Sequence, residues 1–105
     1  MIRVAIVDDH AIVRTGLRQF LSEEVDLRVT GEAANGREAL DLVRQGEVDV
    51  MLMDLSMPDQ SGVDALAAIK ARAPELPVLI LSGFPETHYA TTLLRQGAAG
   101  YLNKE

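Results

Sequence analysis

The stretch Met51-Leu52-Met53-Asp54-Leu55-Ser56-Met57-Pro58-Asp59 decides how this 105-residue chain is read. Val48 to Met53 is a compact apolar run, too short for a helix, and reads as a buried strand. It ends on a carboxylate, and Pro58 stiffens the segment beyond it because its φ is fixed. Arg3 to Val7 and Val78 to Leu81 are runs of the same kind. Between them the period changes. Ile12 to Leu21 places Val13, Leu17, Phe20 and Leu21 at the i, i+4, i+7, i+8 spacing of one helix face, and Gly36 to Gln45 does so with Ala39, Leu40 and Val43. Val29 to Ala34 is a weaker strand. Val63 to Arg72 is a helix with Leu66, Ile69 and Lys70 in register. Glu86 to Gln96 is a further helix, leading to a short strand around Tyr101 and Leu102. Asn35 followed by Glu38, and Ser61 followed by Asp64, mark helix starts, while Gly46 and Gly97 stand where helices end. The order is βαβαβαβαβ. Strict alternation implies a mostly parallel sheet covered by helices on both faces, because right-handed crossovers lay each helix on one side or the other.

The totals bound what such a fold does. The chain is long enough for one core and too short for two. Hydrophobic residues make up 48% and charged residues 25%, the balance of a soluble globular domain. No apolar run approaches the roughly 20 residues that span a bilayer. The opening MIRVAIVDD turns acidic too early for a signal peptide, so a cytoplasmic location is expected. Without cysteine there is neither a disulfide framework nor a thiolate metal site. A net charge of -6 with scattered basic residues argues against this domain itself gripping a nucleic-acid backbone.

In open parallel sheets, ligands bind beyond the carboxyl ends of the strands, where strand order reverses. Asp8-Asp9 follows the first strand, Asp54 the third, Ser82-Gly83 the fourth and Lys104 the fifth. Each alone has a structural explanation as a helix cap or turn residue. Together, three carboxylates converging on one crevice repel one another unless a cation or a proton is held there. Hard oxygen donors fit Mg²⁺, which keeps several waters and pairs with phosphate oxygens. One carboxylate is then a candidate nucleophile toward a phosphoryl group. Lys104 would offset charge on the phosphoryl oxygens, the Ser82 hydroxyl would donate to one of them, and Gly83 would let the backbone come close.

These motifs, Asp8-Asp9, Met53-Asp54 with Met57-Pro58 and Gly62, Leu81-Ser82-Gly83 and Gly100-Tyr101-Leu102-Asn103-Lys104, resemble the receiver domain of bacterial two-component response regulators over nearly the whole chain. The opening IVDDHAIVRTGL and closing GAAGYLNKE are similar to the NarL/FixJ branch, whose members usually carry a C-terminal LuxR-type helix-turn-helix domain. The resemblance implies a flavodoxin-like, doubly wound, five-stranded parallel sheet of order 2-1-3-4-5. It implies that Asp54 accepts a phosphoryl group from a phosphohistidine on a sensor histidine kinase. Asp9 and Asp54 would bind Mg²⁺ directly, Asp8 through water, and the backbone carbonyl of Ser56 would be a further ligand. Ser82 and Lys104 would bind the phosphoryl oxygens, and Tyr101 would be the aromatic whose rotamer follows Ser82. Ser56 and Phe84 would flank the path of the attacking water. The implied output is a population shift near the fourth helix and fifth strand, with a homodimer on activation, no membrane partner, and DNA contact only through an output domain absent from this sequence.

Other residues and departures complete the reading. Imidazole suits Mg²⁺ poorly, so His10 is expected to be a helix-start residue rather than a ligand. Met51, Met53 and Met57 are expected to be packing. Residues 1–105 form one receiver domain, and the chain stops one residue after Lys104, where receivers generally continue into a fifth helix. It is therefore expected to be truncated, or to have the missing helix replaced by another copy of the chain; left uncovered, apolar side chains of the first, fourth or fifth strands would be open to water. A phosphatase of the haloacid dehalogenase type would place its nucleophile after the first strand in a D-x-D arrangement, whereas here the first pair is adjacent. An inert receiver-like module would lack the acceptor, the acids or the lysine, and all are present.

Overall fold

The computed structural model describes residues 1–55, 60–82 and 100–103, and for 54, 55, 60–64, 82 and 100–103 the backbone path alone. Its elements are β1 (Ile2–Val7), α1 (Ala11–Ser22), β2 (Leu27–Ala33), α2 (Gly36–Gln45), β3 (Val50–Leu55), α3 (Gln60–Arg72), β4 (Val78–Ser82) and β5 (Gly100–Asn103). The strands form one sheet of order β2-β1-β3-β4-β5, and every neighbouring pair is parallel. This is the doubly wound order expected. The helix expected over Glu86 to Gln96, its terminal Gly97, and Met57 lie outside the described residues.

The apolar runs are continuous because the central strands are covered on both faces. In β1, Val4, Ala5, Ile6 and Val7 are all buried. Ala5 and Val7 join Met51, Met53, Val78 and Ile80 of the neighbouring strands and Ala39, Leu66 and Ile69 of α2 and α3 in one core. Met51 and Met53 are thus core filler, as expected. Val4 and Ile6 point to the opposite face by strand alternation, where α1 packs against β1 and β2. They are 2% and 0% exposed. In the first strand, then, the expectation of apolar side chains open to water does not hold for Val4 and Ile6, while Ile2 is 47% exposed. Leu79 and Leu81 of β4 are half-buried, and the side chains of β5 lie outside the description.

Local chemistry sets the helix ends. The Asn35 side chain accepts the Glu38 N–H at 2.9 Å, and the Glu38 carboxylate accepts the Ala34 N–H at 2.7 Å, so two donors at the start of α2 are satisfied. Gly46 ends α2 at φ 72, the left-handed conformation that an L side chain resists. Gly36 has a different constraint: a Cβ there would stand 2.8 Å from the Ala65 Cβ, so the missing side chain lets α2 and α3 approach. α3 begins at Gln60, which puts Ser61 inside its first turn and not at its cap. Lys70 does follow the buried pair Leu66 and Ile69, and its ammonium donates to the Leu76 carbonyl at 2.8 Å.

α1 is rotated from the expected face. Its half-buried residues are Val13, Arg14, Leu17 and Leu21, and Phe20 is 68% exposed. At about 100° per residue, a stripe that includes Arg14 is centred away from Phe20. The reason is polar: Arg14 Nη1 donates to the Asp8 carbonyl at 2.6 Å and Nε to Glu32 Oε1 at 3.3 Å. β2 carries one extra residue, because Val4 pairs with Val29 but Ala5 with Gly31. The intervening Thr30 uses its hydroxyl to donate to the Glu47 carbonyl at 3.0 Å.

Candidate functional site

The chain leaves β1 for the outer strand β2 and then crosses back to β3, so the strand order reverses between β1 and β3. A crevice opens there, beyond the carboxyl ends. Val7 and Met53 are register partners across β1 and β3. The next residues along the two strands are Asp8 and Asp54, on neighbouring strands spaced about 4.8 Å apart. Asp54 is in turn the partner of Leu81, Leu55 of Ser82, and Ser82 of Asn103. The backbone therefore brings Asp8, Asp54 and Ser82 to one end of the sheet, with Lys104 following directly on Asn103 in sequence. Tyr101 is the partner of Ile80, two residues earlier. Ser56, Gly83, Phe84 and Lys104 lie outside the described residues.

Asp8 and Asp9 are described to the side chain. Strand pairing holds the first of them: Asp8 N–H donates to the Ala33 carbonyl at 2.9 Å, extending the β1–β2 ladder by one residue. Its side chain is 0% exposed, whereas that of Asp9 is 63% exposed. Asp8 Oδ1 accepts the backbone N–H of His10 at 2.5 Å, a turn closed by the side chain two residues back. One acid is thus locked into the fold, while the next stands at its rim.

His10 is the residue before α1, in extended conformation, and makes no side-chain capping bond. This places it at the helix start, as expected. Its Nδ1 nevertheless stands 2.9 Å from Asp9 Oδ1 and 3.3 Å from Asp8 Oδ1. One ligand atom from each of Asp8, Asp9 and His10 falls within a 4.8 Å span. Two carboxylates this close favour a bound cation. Their donor set suits Mg²⁺, since one carboxylate is fixed and buried while the other faces water, and the ion retains much of its hydration shell.

Sequence reasoning missed the supports of this turn. Arg14 holds the Asp8 carbonyl and Glu32, and Arg18 Nε donates to Glu32 Oε2 at 2.6 Å. The signal was present as two arginines at i and i+4 on α1. Their shared partner is a carboxylate on β2, and no local spacing links the two. A groove of about 690 Å³ lined by Leu40, Val43, Arg44, Ala68, Ala71 and Arg72 lies between α2 and α3. None of the predicted site residues among those described lines it.

Comparison with known proteins agrees with this geometry. A structure of a LuxR-family two-component response regulator from Aurantimonas superposes with TM-score 0.90 at 33% identity, covering 98% of this chain and 74% of that one. The receiver domain of the putative regulator NarL from Mycobacterium tuberculosis gives TM-score 0.87 at 36% identity, over 99% of this chain and 84% of that one. The transcriptional regulatory protein DegU of Brevibacillus brevis is 38% identical over 104 residues, 99% of this chain but 44% of DegU. The chain spans about half the length of such curated relatives. The family model described as the response regulator receiver domain matches residues 4–105. With a parallel sheet of the matching order and an acidic pair at its crossover, the chain belongs to the receiver domains of two-component response regulators, whose function is signalling by phosphorylation.

Proposed function

We propose that this domain is a phosphorylation-activated switch whose acceptor is Asp54. The observation that carries the reading is the register of β1 with β3, which sets Asp54 directly beyond Met53 as Asp8 lies directly beyond Val7. An Asp54 carboxylate oxygen attacks phosphorus of a phosphohistidine on a partner histidine kinase. The P–N bond breaks, the electron pair returns to the imidazole, and an acyl phosphate forms on Asp54. Asp8, Asp9, Asp54 and the Ser56 carbonyl would hold Mg²⁺, which supplies charge neutralisation at the phosphoryl oxygens when bound. Ser82 and Lys104 would take the remaining phosphoryl oxygens, with Gly83 leaving room for their approach. The domain is a phosphoacceptor that assists its own phosphorylation and dephosphorylation rather than a turnover enzyme.

The added group brings about -1.5 to -2 charges to this end of the sheet. Its contacts with Ser82 favour one of two existing arrangements. Ser82 is the register partner of Asn103, and Tyr101, two residues earlier on that strand, would pass the change toward the edge of the sheet. In the longer protein the output is control of a DNA-binding domain, with a homodimer on activation. The names of the relatives and their double length support this. Among the described residues no helix is long and apolar enough to cross a membrane, and the switch is assigned to the cytoplasm.

Intact-mass measurement after incubation with Mg²⁺ and acetyl phosphate tests the reading. One phosphoryl adduct is expected, absent from Asp54→Asn. An adduct that persists in Asp54→Asn, or none in the unaltered chain, overturns it. Ser56→Lys and Phe84→Ala are each expected to change the decay rate of the adduct, followed by the same method.

A further inference from the structure

Arg14 ties the acidic turn to the rest of the domain. Its backbone N–H donates to the His10 carbonyl at 3.1 Å in the first turn of α1, while its Nη1 reaches back to the Asp8 carbonyl at 2.6 Å. One residue thus closes the turn through both its backbone and its side chain. The guanidinium is itself held, since Nε donates to Glu32 Oε1 at 3.3 Å and Glu32 is the β2 register partner of Ile6 in β1. The Arg14 side chain is 19% exposed, so these bonds are largely shielded from water. What they fix follows from peptide geometry. The Asp8 carbonyl and the Asp9 N–H share one planar peptide unit. With the Asp8 N–H on the Ala33 carbonyl and the Asp8 carbonyl on Arg14, the plane from which Asp9 projects is set. The Asp9 side chain, 63% exposed, gains no such definition from burial.

We propose that Arg14 is a positioning residue for the phosphorylation reaction: by holding the peptide between Asp8 and Asp9 it aims the Asp9 carboxylate, and so sets how tightly the acidic pair holds Mg²⁺. The inference rests on the switch proposed above and adds a residue outside the acidic pair that tunes it. The effect is geometric rather than coulombic. A cation beside the acids by itself opposes binding of a second cation, and Glu32, gripped also by Arg18 at 2.6 Å, offsets the Arg14 charge. Removing Arg14 therefore has two opposite consequences. Loss of a like charge strengthens Mg²⁺ binding, and loss of the peptide's orientation weakens it. Outer partners that orient metal ligands are worth about 10- to 100-fold in affinity, more than a screened and already paired charge contributes, so the weakening wins.

Calorimetric titration of the chain with Mg²⁺ tests this on two variants: Arg14→Met keeps the stem and removes the donors, and Arg14→Lys keeps the charge without the fork. Both are expected to weaken Mg²⁺ binding by at least about tenfold. Arg3→Met, which removes an arginine from the opposite end of β1, controls for a loss of stability alone. Its Mg²⁺ affinity should stay within about twofold of the unaltered chain's. In the acetyl phosphate reaction, the Mg²⁺ concentration that gives half the maximal rate of adduct formation should rise in both Arg14 variants, while the rate at saturating Mg²⁺ stays near that of the unaltered chain. Unchanged or tighter binding in Arg14→Met, full affinity in Arg14→Lys, or equal weakening in Arg3→Met overturns the inference. So does a fall in the saturated rate at an unchanged half-maximal Mg²⁺ concentration. Should Arg14→Met fail to fold, Arg14→Lys decides alone. An adduct on Asp54 whose Mg²⁺ dependence is the same in the Arg14 variants sinks this inference and leaves the switch standing. Weakened Mg²⁺ binding in those variants, with no adduct in the unaltered chain, sinks the switch and leaves the positioning role of Arg14.

Discussion

Asp49 and Asp8 stand at opposite ends of the same two parallel strands and are held in opposite ways. Asp49, just before β3, is gripped by Arg3 of β1 at two points, Nε to Oδ2 at 3.1 Å and Nη2 to Oδ1 at 3.0 Å. Its Oδ2 also accepts the Arg3 backbone N–H at 2.8 Å, and its own N–H donates to the Arg3 carbonyl at 2.7 Å. The hydrogen bonds from the Arg3 side chain and backbone, helped by the guanidinium charge, hold the Asp49 carboxyl down at about 2. Asp8, just after β1, is instead buried beside a second carboxylate, with the His10 imidazole 3.3 Å from its Oδ1. The difference separates two uses of an acid at a strand end, one exposed and one buried. One end staples strands with a cation that the chain itself supplies. The other gathers two acids within reach of each other, an arrangement that favours a bound cation and makes a site.

The same substitution on either side of β3 should give the largest contrast. Asp54→Asn is expected to abolish the phosphoryl adduct, while Asp49→Asn is expected to retain it, by intact mass in parallel reactions. Equal loss in both would dissolve the distinction between the two ends.

Neutralising an acid should also move stability in opposite directions. Asp8→Asn relieves repulsion at the crossover and should stabilise the metal-free domain by about 1 kcal/mol. It should also remove most of the added stability that Mg²⁺ gives the unaltered chain. Urea melts with and without a chelator measure both, and destabilisation in the chelator would count against the repulsion.

Asp49→Asn should destabilise at neutral pH, by less, because Arg3 and Asp49 are 43% and 40% exposed and solvent screens the pair. The Asp49 carboxyl is lowered from 3.8 to about 2, so its contribution is fully present above about pH 4 and is lost as pH falls toward 2. Melts across that range should show the unaltered chain and Asp49→Asn converging, and a gap that persists at pH 2 would break the assignment. Among all these, the change in adduct lifetime in Ser56→Lys and Phe84→Ala is confined to the acceptor end and should leave stability near that of the parent.

Much of this was legible in the chain. The strands of the core, the alternation with helices and the ends of α2 follow from patterns read within one or two turns. Asn35, Glu38 and Gly46 form their contacts with neighbours three or four residues away. The order of the sheet followed from four short motifs and a family resemblance, and the backbone register agrees with it; of the candidate residues, it brings Asp8, Asp54 and Ser82 to one end of the sheet. The reading failed where a local pattern competes with a distant partner. Phe20 fits the helix face by spacing, but Arg14 turns α1 toward Asp8 and Glu32. Apolar side chains of the first, fourth or fifth strands were expected to be open to water, but in the first strand Val4 and Ile6 are buried on the face where α1 packs, and only Ile2 is exposed among its described apolar residues.

The sequence by itself determined which segments are strands and helices and which side chains end the strands, because hydrophobic period and capping act between residues close along the chain. Only the tertiary structure decided that Arg3 meets Asp49, 46 residues away, and that the His10 ring lies against both acids. Contacts of that kind depend on strand register and on the rotation of α1, and those follow from packing the whole sheet rather than from any local rule.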